Sequence, residues 1–280
     1  MPPVVETIAD LRAQIAAWRT TESARIGLVP TMGALHDGHL SLVREMKART
    51  ERVVVSIFVN PAQFAPHEDF ERYPRTMAND LAKLATIGAD LVFAPSVAEM
   101  YPQGFATKIE VGGPSAGLET DFRPHFFAGV ATVVAKLLIA AMPDVAIFGE
   151  KDYQQLLVIR RLTADLGLPI EIIGGAIVRE ADGLAMSSRN AYLKPTERHV
   201  AGMLNLILRE IVSRVRRGED ISATEAAGKV ALLDAGFNSV DYFAIRDTET
   251  LAPIDSLSRP VRILAAAKIG TTRLIDNFSV

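Results

Sequence analysis

The 280-residue chain contains no cysteine, which excludes disulfides, thiolate metal sites and a thioester-forming nucleophile. It also lacks an apolar stretch long enough for a bilayer, because Lys136 interrupts the longest run, residues 126–142. Glu6, Asp10 and Arg12 lie near the N-terminus, where a signal peptide needs an apolar core. We therefore expect a soluble cytoplasmic protein.

An excess of charge of one sign is absent as well, since the formal net charge is −3. Binding of nucleic acid would then need a local basic stripe. The nearest candidate, Arg209 to Arg217, is interrupted by Glu210 and predicts an ordinary solvated helix face. With 49% hydrophobic and 22% charged residues, the chain can bury a full core. We expect a folded protein with no nucleic-acid partner and no membrane association.

Short apolar runs that end at glycine or proline alternate with helical patterns as far as residue 177. The predicted strands are 25–29, 52–59, 90–93, 108–111 and 145–148, and the predicted helices are 38–50, 76–87, 129–141 and 153–166. Near-continuous apolar strands that alternate with helices are typical of a parallel sheet covered on both faces. We expect an α/β protein with a Rossmann-like parallel sheet in residues 1–177.

The pattern changes in residues 178–280, where two helices are predicted at 195–217 and 222–235. Ser222 and Glu225 have the spacing of a capping box at the start of the second helix. Strands are predicted at 240–245, 261–266 and 273–275. This region predicts a smaller C-terminal α+β domain.

The most informative motif is Pro-Thr-Met-Gly-Ala-Leu-His-Asp-Gly-His, residues 30–39, which follows a short apolar strand. It predicts a glycine turn and a helix N-terminus with two imidazoles able to carry positive charge, an arrangement suited to phosphate. The glycine spacing matches neither a Walker A loop nor a dinucleotide fingerprint. The alternatives are two ordinary surface histidines, or a zinc site, for which Asp37 is the only further ligand nearby.

Three more blocks follow predicted strands or loops. Asn60 to Phe64 offers two amides and an aromatic ring to a polar substrate. In Phe-Gly-Glu-Lys-Asp-Tyr-Gln-Gln, residues 148–155, Lys151 lies at a helix N-terminus, where a cation is unfavourable unless it faces an anion. Gln155 lies one turn later on the same face. Met186 to Arg189 supplies hydroxyls and a guanidinium suited to pyrophosphate, and Arg179 could share this duty.

No nucleophile with a paired base is evident, which favours direct attack of a substrate on a nucleotide, with fixed donors stabilising phosphate charge. Nucleotidyl transfer and acyl activation by adenylylation both fit. The residues and their spacing leave this choice open.

The blocks VPTMGALHDGH, FVNPAQF, YPRT, FGEKDYQQ and SSRNAYL, together with IRDTETL and RLIDN near the C-terminus, extend over nearly the whole chain. In this order they resemble pantothenate synthetases (pantoate–β-alanine ligases), within the nucleotidyltransferase and class I synthetase-like superfamily. The resemblance implies that ATP converts pantoate to pantoyl-adenylate and pyrophosphate with Mg²⁺. The β-alanine amine then displaces AMP to give pantothenate. It also implies a homodimer.

The resemblance implies roles for individual residues. The ATP site comprises Met32, Gly33, Ala34, Leu35, His36, Asp37, Gly38, His39, Gly149, Glu150, Lys151, Asp152, Val178, Met186, Ser187, Ser188 and Arg189. Within this set the catalytic residues are His39, His36, Lys151, Ser187, Ser188 and Arg189, with His39 as the family's proton donor and, in our interpretation, equally a charge stabiliser. The substrate-binding residues are Gln63, Gln155, Asn60 and Arg123. Asp80 is a magnesium contact in this scheme, and its alternative is an ordinary helix carboxylate.

The chain departs from the family at one motif. The family usually carries a histidine where Phe126 stands, and His125 lies one place earlier. We assign His125 no role, nor His67 and His199. The competing hypotheses are an adenylyltransferase that leaves the nucleotide on its product, a non-catalytic nucleotide-binding module and an aminoacyl-tRNA synthetase.

Overall fold

The computed structural model describes residues 1–65 and 68–280, so His67 lies outside the described residues. A six-stranded sheet, parallel throughout, has the strand order β1-β4-β3-β2-β5-β6. Its strands are β1 (Val4–Val5), β2 (Ile26–Thr31), β3 (Arg52–Ile57), β4 (Leu91–Phe93), β5 (Val145–Gly149) and β6 (Glu171–Gly175). From β2 the chain proceeds to one side through β3 and β4, then crosses to β5 on the other side. Ligands bind at such a switch point in open α/β sheets.

Helices cover both faces of this sheet. The first face carries α1 (Ile8–Glu22), α6 (Phe126–Ala141) and α7 (Tyr153–Asp165), which share one apolar core. The second carries α2 (Asp37–Lys47) and α3 (Met77–Thr86), which share another. Two short helices, α4 (Val97–Met100) and α5 (Glu119–Phe122), lie in the connections. The Rossmann-like prediction is confirmed.

The C-terminal region forms a separate antiparallel sheet with two helices. The helices are α8 (Pro195–Arg216) and α9 (Ile221–Asp234), and the strands are β7 (Ser239–Asp247), β8 (Val261–Ile269) and β9 (Thr272–Ser279), in the order β7-β8-β9. Their apolar side chains form a third core. Close packing of α9 depends on Gly228, since a Cβ there would lie 2.5 Å from the Phe243 ring. The predicted smaller α+β unit is confirmed.

Several local predictions differ from the structure. Residues 108–111 are not a strand; the Ile109 amide donates to the Thr132 hydroxyl at 3.0 Å rather than to a ladder. Asp220, not Ser222, caps α9, and Glu225 instead accepts from the Ile245 amide at 2.6 Å. The sequence patterns did not predict α1 or β6.

Within the described part of the chain, every helix is too short or too polar to traverse a lipid bilayer.

Candidate active site

A cavity of about 490 Å³ opens at the carboxyl ends of β2 and β5, the switch point of the parallel sheet, and extends to the antiparallel sheet. The predicted site residues that line it are Met32, His36, Gly38, His39, Asn60, Gln63, Arg123, Gly149, Lys151, Asp152, Gln155, Val178, Met186, Ser187, Ser188 and Arg189. The predicted residues that do not line it are Gly33, Ala34, Leu35, Asp37, Asp80 and Glu150. The four motifs therefore converge on one cavity.

The two histidines lie side by side at the start of α2, with their rings tilted by 37°. Gly33 and Ala34 take left-handed backbone angles, φ 80° and 50°, which turn the chain from β2 into the helix. The imidazole centroids are 4.0 Å apart. The His36 amide donates to Nδ1 of His39 at 3.4 Å, so the proton of a neutral His39 ring resides on Nε2. Gly38 leaves room for the pair, because a Cβ there would lie 2.9 Å from the His36 ring.

Both imidazoles are able to carry positive charge, as expected of histidine, but their surroundings favour the neutral form. Burial, followed by the charge of Lys151, lowers the pKa of His36 to about 4. Burial, followed by the neighbouring His36 ring, lowers the pKa of His39 well below its usual value. At neutral pH the pair supplies hydrogen-bond donors and acceptors, and the positive charge comes from Lys151. The zinc alternative gains no support, since the described residues contain no cluster of three His, Cys, Asp or Glu suited to a metal.

Asp80 does not fit the predicted magnesium contact. Its carboxylate is 1% exposed, and its two oxygens accept the backbone amides of Ala34 at 3.0 Å and Leu35 at 2.8 Å. The Thr76 hydroxyl donates to it as well, at 3.2 Å. These bonds connect α3 to the left-handed turn, so Asp80 stabilises the turn that precedes His36 and His39.

The side chain of Asn60 also stabilises the cavity wall, because its polar atoms bond to other groups of the protein. It is 1% exposed; its amide oxygen accepts from the Tyr101 hydroxyl at 2.7 Å and its nitrogen donates to the Gly129 carbonyl at 3.2 Å. A further donation at 3.3 Å orients Gln63, whose own nitrogen lies 2.8 Å from the Met32 sulfur. Asn60 lines the cavity, and because its polar atoms are already engaged within the protein, this geometry favours a positioning role over the predicted substrate contact.

The three candidate arginines are already paired with carboxylates, Arg179 with Asp276. Arg189 makes two hydrogen bonds to Asp69, at 2.9 and 2.8 Å, and Arg123 makes two to Glu68, at 2.6 and 2.8 Å. Burial alone would raise the pKa of Asp69, but the hydrogen bonds and charge of Arg189 hold that pKa below its usual value. The sequence patterns gave no signal for Asp69 and Glu68, which come from an irregular loop.

The same loop meets the serine motif, where the Tyr73 and Ser188 hydroxyls are 3.0 Å apart. The Ser187 hydroxyl accepts from the Arg189 amide at 3.3 Å and shapes the turn. At the departure from the family motif, Phe126 lines the cavity and its ring centroid lies 3.9 Å from the Arg123 guanidinium carbon, whereas His125 is exposed and does not line the cavity.

A buried ionic cluster joins α5 to the antiparallel sheet beside the cavity. Glu119, 5% exposed, accepts from Arg273 at 2.8 and 2.9 Å and from the Tyr242 hydroxyl at 2.7 Å. Arg273 also donates to Asp241 at 2.7 Å. Burial, followed by the charge of Glu119, raises the pKa of Tyr242 well above its usual value, so the phenol stays protonated. Arg273 begins the RLIDN block, but neither that block nor the sequence around Glu119, Asp241 and Tyr242 indicates that these residues meet.

Comparisons with known proteins agree on one family. The family model described as Pantoate-beta-alanine ligase matches residues 3–279. The chain is 57% identical over 279 residues to a pantothenate synthetase of Mesorhizobium japonicum, covering 100% of this chain and 98% of that protein. The crystal structure of pantothenate synthetase from Thermus thermophilus has a TM-score of 0.92 and 46% identity, covering 99% of this chain and 98% of that one.

A further solved structure carries ligands. It is a pantoate-beta-alanine ligase from Francisella tularensis, described as complexed with beta-gamma ATP and beta-alanine. Its TM-score is 0.82 at 34% identity, and the match covers 100% of this chain and 98% of that one.

Proposed function

Because the chain belongs to the pantoate-beta-alanine ligase family, we propose that it condenses pantoate with β-alanine to pantothenate through a pantoyl-adenylate formed from ATP. In the first step a carboxylate oxygen of pantoate attacks the α-phosphorus and pyrophosphate leaves. In the second step the β-alanine nitrogen attacks the acyl carbon, AMP leaves, and the amine gives up a proton. The solved relative with beta-gamma ATP and beta-alanine supports this choice of co-substrates.

The observation that carries the proposal is that His39, Lys151 and the 186–189 segment line one cavity at the switch point. The first step builds charge on phosphate oxygens, and fixed donors in a partly closed site stabilise that charge. Lys151 supplies the positive charge. The Nε2 proton of His39 supplies a neutral donor, since the pKa of His39 lies well below its usual value. His39 thus acts by hydrogen bonding, and any proton it donates is the one on Nε2.

The remaining predicted residues form two sets, those that line the cavity and those that do not. Gln63 and Gln155 line the cavity and are suited to the hydroxyls and carboxylate of pantoate. Ser188 and Arg189 would bind phosphate once their bonds to Tyr73 and Asp69 are exchanged for ligand oxygens. The 33–35 segment, Asp37 and Glu150 do not line the cavity, so they would act indirectly, by shaping the turns that carry the lining residues next to them.

We further propose that Mg²⁺ accompanies the triphosphate. Since Asp80 does not fit as a ligand, the ion would be held mainly by phosphate oxygens and water, as is common for Mg²⁺. The proposal also includes a cytoplasmic homodimer, built from a nucleotide- and pantoate-binding domain of residues 1–177 and a closing domain of residues 178–280.

The test is to incubate the purified protein with ATP, Mg²⁺, pantoate and β-alanine, and to measure AMP while omitting one substrate at a time. We expect AMP formation to require both pantoate and β-alanine. With pantoate labelled by ¹⁸O in its carboxylate, one label should appear in AMP, because that oxygen bridges the adenylate. Formation of ADP, unlabelled AMP, or a product that keeps the AMP moiety would contradict the proposal.

A further inference from the structure

The turn that carries Lys151 is held from the opposite sheet. Asn277 lies on β9 of the antiparallel sheet and is 2% exposed. Its side-chain nitrogen donates to the backbone carbonyls of Glu150 and Lys151, each at 2.9 Å. Two consecutive carbonyls of one short turn are thus fastened by a single buried amide.

The amide of Asn277 is itself held in one orientation. Its oxygen accepts a hydrogen bond from the Arg262 guanidinium on β8, so the nitrogen must face the turn. Arg262 is fixed in turn by the Tyr153 ring, whose centroid lies 3.7 Å from the guanidinium carbon, and by Glu150 at 3.5 Å. The antiparallel sheet therefore helps to hold the backbone of Lys151, in the turn that directly follows β5.

The Lys151 ammonium has little else to fix it. Across the residues the structure describes, its ion-pair partner is Asp152 at a long 3.7 Å, and that carboxylate is 42% exposed. A weak, exposed pair does not hold a flexible side chain in one place. The position of the charge is then set mainly by the backbone of the turn.

We propose that Asn277 is a positioning residue, which places Lys151 for the phosphate chemistry by clamping the carbonyls of Glu150 and Lys151. The inference rests on the proposed function of Lys151 in the ATP site. If Asn277 has this role, the contact between the antiparallel sheet and the Lys151 turn determines where the positive charge lies. A misplacement of about 1 Å can cost as much as ~100-fold in rate.

The experiment replaces Asn277 with leucine, which has a similar volume and no donor. We expect kcat/KM for ATP to fall ~10- to 100-fold, with the KM for β-alanine unchanged. The decisive measurement is the double variant with Lys151→Ala. If Asn277 acts through Lys151, Asn277→Leu should lower the rate no further in the Lys151→Ala background, because effects of coupled residues are not additive.

Asn205→Leu is the matched control, since Asn205 is a 4% exposed asparagine of α8 that accepts a hydrogen bond from Arg209 of the same helix and does not line the cavity. It should lower thermal stability without the selective loss in kcat/KM for ATP. A wild-type kcat/KM for ATP in folded Asn277→Leu would overturn the inference, as would full additivity with Lys151→Ala.

If Asn277→Leu does not fold, Asn277→Ala serves in its place, and failure of both to fold would identify Asn277 as merely structural and overturn the inference. These outcomes differ from failure of the proposed function, in which the wild type itself forms no AMP.

Discussion

Substitution of Lys151 by methionine removes a charge from the cavity while keeping the length of the side chain. We expect pantoate-dependent formation of pyrophosphate to fall by about 10²- to 10³-fold, the loss seen when one fixed donor to a developing oxyanion is removed, ~2.7–4 kcal/mol. The Lys151 side chain is 22% exposed, so partial solvent screening favours the lower end of that range.

The same substitution should leave the fold almost unchanged. The ion pair with Asp152 spans 3.7 Å and is partly exposed, a geometry that contributes about 0–1 kcal/mol. The matched control is Lys47→Met, because Lys47 is also a partly exposed lysine, 31%, paired with an aspartate, Asp90 at 2.9 Å, but it does not line the cavity.

The assay is a rapid-quench measurement of pyrophosphate with enzyme in excess of ATP, alongside thermal unfolding of each variant. Lys47→Met should react at the wild-type rate with a modest loss of stability. A Lys151→Met enzyme within threefold of the wild-type rate, and fully folded, would refute the assignment of the charge to Lys151.

Three further predictions concern His36, Asp80 and the cluster around Glu119. For His36, the folded pKa of about 4 lies below the ordinary 6.5, so its contribution to stability is present above pH 6.5 and is lost as the pH falls toward 4. Measured by urea unfolding, the free energy of unfolding of the wild type should fall by up to ~3 kcal/mol relative to that of His36→Gln over this pH window. Parallel pH curves for the two proteins would contradict this prediction. Asp80→Asn should lower the melting temperature and reduce the free energy of unfolding by ~1–3 kcal/mol, while the Mg²⁺ dependence of the rate stays unchanged. A higher Mg²⁺ concentration needed for half-maximal rate would instead identify Asp80 as a metal ligand. Glu119→Ala should cost ~1–3 kcal/mol by denaturant unfolding, because the buried Tyr242 hydroxyl loses its partner and Arg273 keeps only its bond to Asp241. Glu6→Ala, at an exposed position before α1, is the control, and equal stabilities of these two variants would refute the prediction.

The main fold was predictable where the chain carries a strong local signal. Residues 53–57 of β3 are buried throughout, and this near-continuous apolar run predicted a buried strand. In contrast, α1 buries only Leu11, Ile15 and Trp18, too sparse a pattern to detect among alanines and polar residues. The predicted strand at 108–111 has the right composition, but its Ile109 amide is satisfied by a side chain of α6. Tertiary contacts outweighed local propensity there.

The site was predictable as a set of motifs and less so as a network. Parallel strands bring their carboxyl ends to one edge, so the convergence of the Lys151 turn with the His39 turn follows from strand order. The neutral state of His36 depends on its burial and on the charge of Lys151, which follows a different strand. The spacing of residues in the sequence does not predict either effect. The pairing of Arg189 with Asp69 joins residues 120 positions apart, a separation that lies beyond any local pattern.

The carboxylates that hold Arg189 and Arg123 have a consequence for the kinetics of nucleotide capture. Asp69 and Glu68 neutralise both guanidinium groups before any ligand arrives, so an approaching polyanion meets a weaker attractive field than the number of cations suggests. Long-range steering scales with net local charge and is screened by salt. The association rate of ATP should therefore change little with ionic strength, and the arginines would contribute to residence time after their partners have been exchanged.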